Sequence, residues 1–342
     1  MRLRRSDLSV TGFRRRRRGS GFEYLDEDGD RLDDPDTLER IRELAIPPAW
    51  TDVWICPYPN GHIQAVGVDA AGRKQYRYHD RWREAKDREK FEEVLDFARA
   101  LPGLRRQAAR HLREDGPTRD RVRACAIRLL DRGFFRIGGE EYAEENGSFG
   151  VATLQRQHVR LGPENLLIFD YPAKSGKRRV QAVVDPEVYE VVSALKRRRG
   201  GSRELLAYRN GAGPERWADL RSDEINAYIK DATGGDFSAK HFRTWHATVI
   251  AAVALAVSDE ATSRTARKRA MTRAVHEVAH YLGNTPAIAR ASYIDPRVFD
   301  CYQAGVTIAD SLDGLGDVEL GAPATHGRIE QAVYELLADD AW

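Results

Sequence analysis

The stretch GNTPAIARASYID, Gly283 to Asp295, decides how the second half of this chain is read. Gly283 suits the left-handed residue that closes one helix. Thr285 and Pro286 suit the N-cap and first position of the next, and Pro296 the stop of that short helix. Tyr293 is therefore expected on a short, sharply bounded helix, about two turns from its start. The residues around it are small and leave room for a bulky ligand. A tyrosine held in this way is suited to act as a nucleophile rather than as core filler.

Working outward, three further segments supply cations that fit the same chemistry. Attack on a phosphodiester develops charge on the non-bridging oxygens, and a guanidinium fork matches two such oxygens. Arg136 lies in FFRIGG, between an apolar helix end and a Gly138-Gly139 turn that allows close backbone approach to a ligand. Arg243 lies in KHFRTWHA, at the head of an apolar helical stretch that would anchor it. The leaving alkoxide needs a proton, and Lys174, in the turn AKSGK between two strand-like runs, can supply it from a hairpin tip. Each of these residues alone also fits an ordinary structural role: an ion-pair partner for either arginine, an exposed turn residue for the lysine.

A rival signal sits just upstream, where His276-Glu277-Val278-Ala279-His280 is a literal H-E-x-x-H on an expected helix. That spacing puts both imidazoles on one face, as a zinc metalloprotease requires. Gly283 fits an extended version of the motif, but the third histidine of that version falls on Pro286. A distant carboxylate would have to be Asp300 or thereabouts, since the next glutamate is Glu319. The zinc reading leaves Arg136, Lys174, Arg243 and Tyr293 without a role, and no metal site is expected.

Composition bounds the rest. A chain of 342 residues with 42% hydrophobic and 32% charged side chains is long enough for two cored domains. Lys and Arg number 55 against 53 Asp and Glu, so net charge alone does not announce a polyanionic partner. Distribution says more. Basic clusters fall at Arg14 to Arg18, Lys177 to Arg179, Lys196 to Arg199 and Arg267 to Arg269. Beyond Ala309 the chain is acidic, with Asp310, Asp313, Asp317, Glu319, Glu330, Glu335, Asp339 and Asp340 against Arg328. The run Arg14 to Arg18 is expected to be a flexible arm. Ile329, Val333, Leu336 and Leu337 recur at helical spacing and should pack back on the main domain. Three widely spaced cysteines, Cys56, Cys125 and Cys301, suit neither a metal knuckle nor a disulfide framework and point to a reducing compartment. A charged N-terminus, and an apolar run from Ala247 to Val257 too short to span a bilayer, point to a soluble, cytoplasmic protein with no membrane partner.

Along the chain, strand-like runs alternate with turns up to His79, interrupted by a helix from Pro35 to Leu44 capped by Asp34. A helical, charged pattern then runs from Asp80 to Ala100, and Pro102-Gly103 should break it. Helices around Leu104 to Arg113 and Thr118 to Leu130, strands near Gln157 to Leu161, Asn165 to Tyr171 and Arg178 to Val184, and further helix after Pro186 complete the reading. The fold class is α+β: a small strand-rich N-terminal domain, residues 1–90, and a larger, mainly helical one, residues 91–342.

Taken in order, GRKQYRYHDRW (Gly72 to Trp82), FFRIGGEEY, TLQRQHV (Thr153 to Val159), AKSGK, KHFRTWHAT and LGNTPAIARASYIDP resemble the type IB DNA topoisomerases, specifically their small bacterial and poxvirus-like branch. The resemblance implies a two-domain clamp around duplex DNA, with a catalytic domain similar to that of tyrosine recombinases. It makes Tyr293 the nucleophile that forms a 3′-phosphotyrosyl bond, Arg136 and Arg243 the holders of the phosphate oxygens, and Lys174 the general acid. It matches Gln75, Tyr76, Tyr78, Tyr142 and Lys240 to DNA-side positions. It implies strand rotation and religation without ATP, obligatory metal or other cofactor, by a chain that acts as a monomer beside the nucleoid. Many members carry histidine where this chain has Asn284, which keeps a hydrogen-bond donor for a non-bridging oxygen but no full charge. Two other readings use the same residues. A site-specific tyrosine recombinase shares the nucleophile and arginines, but generally has histidine where this chain has Lys240, and often where it has Asp295. A non-enzymatic DNA-binding module would use the basic and aromatic surface without chemistry, and would be indifferent to Tyr293→Phe.

Overall fold

The structure is a computed structural model in which residues 2–211, 216–258, 263–312 and 326–338 are described. It divides into two compact units, Met1–Glu92 and Glu93–Trp342. Of the acidic C-terminal residues, Asp313, Asp317, Glu319, Asp339 and Asp340 lie outside the described residues.

The first unit is a five-stranded antiparallel sheet with one helix. Its strands are β1 (Phe13–Arg18), β2 (Gly21–Leu25), β3 (Thr51–Ile55), β4 (Ile63–Val68) and β5 (Lys74–Tyr78), in the order β2-β1-β3-β4-β5. Helix α1 (Pro35–Glu43) is capped by Asp34, whose carboxylate accepts the Thr37 N–H at 2.8 Å. Ile41 and Leu44 from the helix side meet Val53, Ile55 and Ala65 of the sheet in a small core. The run Arg14 to Arg18 is a strand and not a flexible arm. Register runs from Arg14 opposite Leu25 to Arg18 opposite Gly21. Local pairing offsets the like-charge cost. Arg16 meets Glu23 at 2.6 Å, and Arg15 lies over the Phe22 ring at 4.2 Å while donating to the Trp50 carbonyl at 2.6 Å.

The second unit is mainly helical. It comprises α2 (Asp80–Leu112, which begins in the first unit), α3 (Arg119–Gly133), α4 (Glu140–Asn146), the antiparallel sheet β6 (Val159–Leu161), β7 (Leu166–Pro172) and β8 (Arg178–Val184), and α5 (Pro186–Arg197). A small ribbon, β9 (Ala207–Arg209) with β10 (Trp217–Asp219), precedes α6 (Ser222–Thr233), α7 (Ala239–Ala256), α8 (Arg264–Leu282), α9 (Pro286–Ser292), α10 (Arg297–Ala304) and α11 (Arg328–Ala338). Helix α7 is apolar nearly all round and occupies the centre, packed against α3, α6, α8, α10 and α11. Phe242, Trp245, Val249 and Leu255 are buried along it. Helix α11 packs back through Ile329, Val333 and Leu337, as its spacing predicts. Cys56, Cys125 and Cys301 are buried and unpaired. Among the described residues no helix is long and apolar enough to cross a membrane.

Two expected boundaries move. Pro102 does not break α2, because Val94, Phe97 and Leu101 before it and Leu104, Ala108 and Leu112 after it keep one apolar face in helical register. Burial of that face outweighs the roughly 3 kcal/mol cost of an interior proline. Helix α9 ends one residue before Tyr293. The N–H groups of Tyr293 and Ile294 both turn to the Ala289 carbonyl, at 3.1 and 3.2 Å, which unwinds the last turn. Pro296 therefore begins α10 rather than stopping α9. The other caps fall as read: Gly283 closes α8 at φ 62°, and Thr285 accepts the Ile288 N–H at 3.3 Å.

Because Pro102 is exposed and packing carries α2 through it, Pro102→Ala should stabilise the second unit by about 1–3 kcal/mol. The urea midpoint of its unfolding should rise. An unchanged or lower midpoint would show that the ring is needed where it stands.

Candidate active site

Arg243 is the residue around which the site is assembled. It lies one turn into α7 and is buried, with Nη1 donating to the Phe134 carbonyl at 2.8 Å and Nη2 to the Leu282 carbonyl at 2.9 Å. One side chain thus ties the C-cap of α3 to the last turn of α8, segments more than a hundred residues apart in sequence. Its Nε is buried with no hydrogen-bond partner among the described residues. Burial, with Arg136 close by, lowers its pKa to about 10, so it remains charged at neutral pH.

Arg136 follows α3 in an irregular stretch, and a close glycine contact holds its backbone. Its carbonyl accepts the Val151 N–H at 2.9 Å, and a Cβ on Gly150 would lie 2.6 Å from that oxygen and 2.5 Å from the Gly138 nitrogen. Only glycine fits there. The Arg136 Nη2 donates to Asn284 Oδ1 at 2.5 Å. That leaves Asn284 Nδ2 buried and, among the described residues, unpartnered, a second unmet donor after Arg243 Nε. Leaving such a donor unsatisfied costs about 1–3 kcal/mol, so both are poised for an acceptor the free protein lacks.

Tyr293 is half-buried and its ring lies 5.3 Å from the Arg243 guanidinium. Burial alone would raise its pKa, but the charges of Arg243 and Arg136 and hydrogen bonds from both prevail and hold the phenol below its ordinary value. A depressed phenol stabilises the fold fully only above its unfolded pKa of about 10, and that contribution is lost as pH falls through the depressed value.

Lys174 is exposed in a one-turn 3₁₀ segment between β7 and β8, followed by Ser175 at φ 66°. Together with Arg136 it lines two adjoining cavities, of about 570 and 320 Å³. The larger is also walled by Arg179, His280 and Asn284, the smaller by Tyr142, Phe149 and Asn226. Tyr293 lines neither and sits beneath Arg243. Lys240 is exposed at the head of α7, one turn before Arg243. In the first unit, Tyr76 and Tyr78 project from one face of edge strand β5 with rings stacked 6.0 Å apart, while Gln75 donates to Asp69 at 2.9 Å. Sequence reasoning missed Arg179, which it placed only within a basic cluster. The residue lies five positions after Lys174 on the same hairpin and donates to the Tyr281 carbonyl. The carbonyls of Phe134 and Leu282 carry no sequence signal.

The H-E-x-x-H motif lies on α8, but His276, Glu277 and His280 are exposed and no third ligand joins them among the described residues. Asp295, which stands where recombinases often have histidine, is buried and paired with Arg297 at 2.8 Å.

Residues 79–303 match the family described as eukaryotic DNA topoisomerase I, catalytic core, and residues 21–69 match the bacterial DNA topoisomerase IB N-terminal domain. The chain belongs to the type IB DNA topoisomerases, and it is an enzyme of that class. It is 29% identical over 299 residues to DNA topoisomerase 1B of Acanthamoeba polyphaga mimivirus, covering 86% of this chain and 88% of that protein. DNA topoisomerase 1 of Schizosaccharomyces pombe is 28% identical over 185 residues, 54% of this chain but 20% of the yeast protein. DNA topoisomerase I of Monkeypox virus is 27% identical over 146 residues, 40% of this chain and 45% of the viral one.

With Tyr293 labelled at Cζ with carbon-13, its resonance should titrate below the ordinary tyrosine range. In Arg243→Ala the midpoint should move up, because the cation that favours the phenolate is gone while burial is largely kept. A midpoint that stays put would show that Arg243 does not set the tyrosine's charge.

Proposed function

We propose that this topoisomerase relaxes supercoiled duplex DNA by transient cleavage of one strand through Tyr293. Tyr293 gives up its phenolic proton to solvent and its oxygen attacks the scissile phosphorus; as the 3′-phosphotyrosyl ester forms the P–O5′ bond breaks, and the 5′-oxygen leaves with a proton from Lys174. The freed end rotates about the intact strand, and its hydroxyl attacks the ester to restore the bond. The ester conserves the energy of the broken bond, so the cycle needs neither ATP nor an obligatory metal. Arg136 and Arg243 hold the non-bridging oxygens, and Asn284 donates its free Nδ2 to one of them. The observation that carries this reading is the half-buried Tyr293 beneath Arg243, beside two buried donors without partners among the described residues. The two arginines supply the electrostatic bias toward phenolate that a general base would otherwise provide.

Tyr76, Tyr78, Gln75, Tyr142 and Lys240 serve as DNA contacts in this reading, supported by the exposure of the three tyrosines and of Lys240. The family resemblance supports a clamp of the two units around duplex, a recombinase-like catalytic domain, and a monomer acting at the nucleoid. A recombinase is the less favoured alternative, since Lys240 and the buried Asp295 occupy positions where it would place histidines.

In EDTA and without nucleotide, the wild-type chain should relax supercoiled plasmid and Tyr293→Phe should not, although both bind DNA. Arg243→Ala should relax on the order of 100- to 1000-fold more slowly, the usual cost of a lost transition-state donor. Relaxation by Tyr293→Phe would remove the tyrosine from the mechanism. Asn284→Ala should lose less than Arg243→Ala in single-turnover cleavage, because a neutral donor is lost rather than a charge. A loss as large as that of the arginine would assign Asn284 more than a supporting hydrogen bond.

A further inference from the structure

Beneath the site lies a buried polar cluster that the proposed reaction does not use. Arg105 of α2 is at its centre. Its Nε and Nη2 donate to Asp131 Oδ2 and Oδ1 at 2.9 and 2.8 Å, and its Nη1 and Nη2 donate to Glu330 Oε2 and Oε1 at 2.5 and 3.0 Å. Trp245 Nε1 donates to the same Glu330 Oε1 at 2.9 Å. His246 Nε2 lies 3.2 Å from Asp131 Oδ1, and His326 Nε2 lies 3.0 Å from Arg105 Nη2. The His246 and His326 rings stack 6.1 Å apart. Asp131, His246 and His326 have the donor set of a metal site, with ligand atoms within 4.8 Å of one another. The Arg105 guanidinium already neutralises the carboxylates there, so a divalent cation would have to displace it.

The cluster points toward the site through one aromatic residue. Asp131 is three residues before Phe134, and His246 is three residues after Arg243 on α7. The Phe134 ring meets His246 edge-on at 5.3 Å and Tyr281 at 5.6 Å. Phe134 has φ 53°, a left-handed conformation disfavoured for a bulky residue and kept only where its surroundings over-determine it. In that conformation its carbonyl accepts from Arg243.

We propose that His246 is a positioning residue for the topoisomerase reaction. Oriented by Asp131, its ring holds Phe134 in the left-handed conformation that presents a carbonyl to Arg243. Glu330 of helix α11 completes the support by meeting Arg105 and Trp245, and His326, just before that helix, meets Arg105. The C-terminal helix is thereby part of the apparatus that aims a catalytic guanidinium. The inference rests on the reading of Arg243 as a phosphate-holding residue.

The test is a double-mutant cycle on single-turnover cleavage, using the full chain and a duplex whose cleaved fragment is too short to stay annealed. His246→Ala should slow cleavage on the order of 10- to 100-fold, less than the outright loss of a donor, while duplex affinity stays unchanged. In an Arg243→Ala background the same substitution should add no further loss, since its route to the phosphate is gone. His246→Gln, which keeps a donor for Asp131 but not the ring, and Phe134→Gly, which permits the left-handed backbone but removes the ring that holds it there, are run alongside and should couple to Arg243 in the same way. They keep the test decisive if His246→Ala does not fold. Additive losses, or a lowered melting temperature with an unchanged cleavage rate, would overturn the inference while leaving the catalytic reading intact. Wild-type cleavage by Arg243→Ala would overturn both.

Discussion

The site depends on one guanidinium being buried. Arg243 is held between the Phe134 and Leu282 carbonyls in the middle of the helical unit, and its charge survives there because both are satisfied acceptors. A buried cation with good hydrogen bonds but, among the described residues, no carboxylate partner is an uncompensated positive charge. Tyr293 beside it answers that charge in part as phenolate forms, and a phosphate would answer it more fully. Desolvation makes the arginine costly in the free protein and effective toward an anion.

The scaffold supplies that arrangement by burying α7 on all sides. A helix packed against five others cannot slide to relieve strain, so Arg243 cannot leave for solvent. The short helix α9 ends at Ser292, and Tyr293 follows as its C-cap with its ring beneath Arg243. Lys174, by contrast, sits on an exposed hairpin tip. In the proposed reaction the demands fall on different elements: charge stabilisation on packed helices, proton delivery on an exposed turn.

Most of the secondary structure was legible, because caps and breakers act over a few residues. Asp34, Thr118, Asp185 and Thr285 each cap a helix with a side-chain oxygen, and Gly283 ends α8 in the left-handed region. The misreadings were tertiary overrides of local rules. Pro102 is carried inside α2 by an apolar face on both sides of it, and Arg14 to Arg18 form a strand because Glu23, Phe22 and backbone carbonyls absorb their charge and stems. The H-E-x-x-H of α8 is a motif by spacing only, since its side chains face solvent without a third ligand among the described residues.

By itself the sequence determined the local elements, the residue types suited to phosphodiester chemistry and, through the order of six short segments, the family. These follow from neighbours along the chain. Only the tertiary structure decided that Arg243 is oriented by the Phe134 and Leu282 carbonyls, that Asn284 accepts from Arg136, and that α11 reaches the residues behind the site. Those contacts join positions from 39 to 225 apart in sequence. The partners are backbone carbonyls, a strained φ and packed rings, all set by how α3, α7, α8 and α11 pack, and no residue-level pattern encodes that.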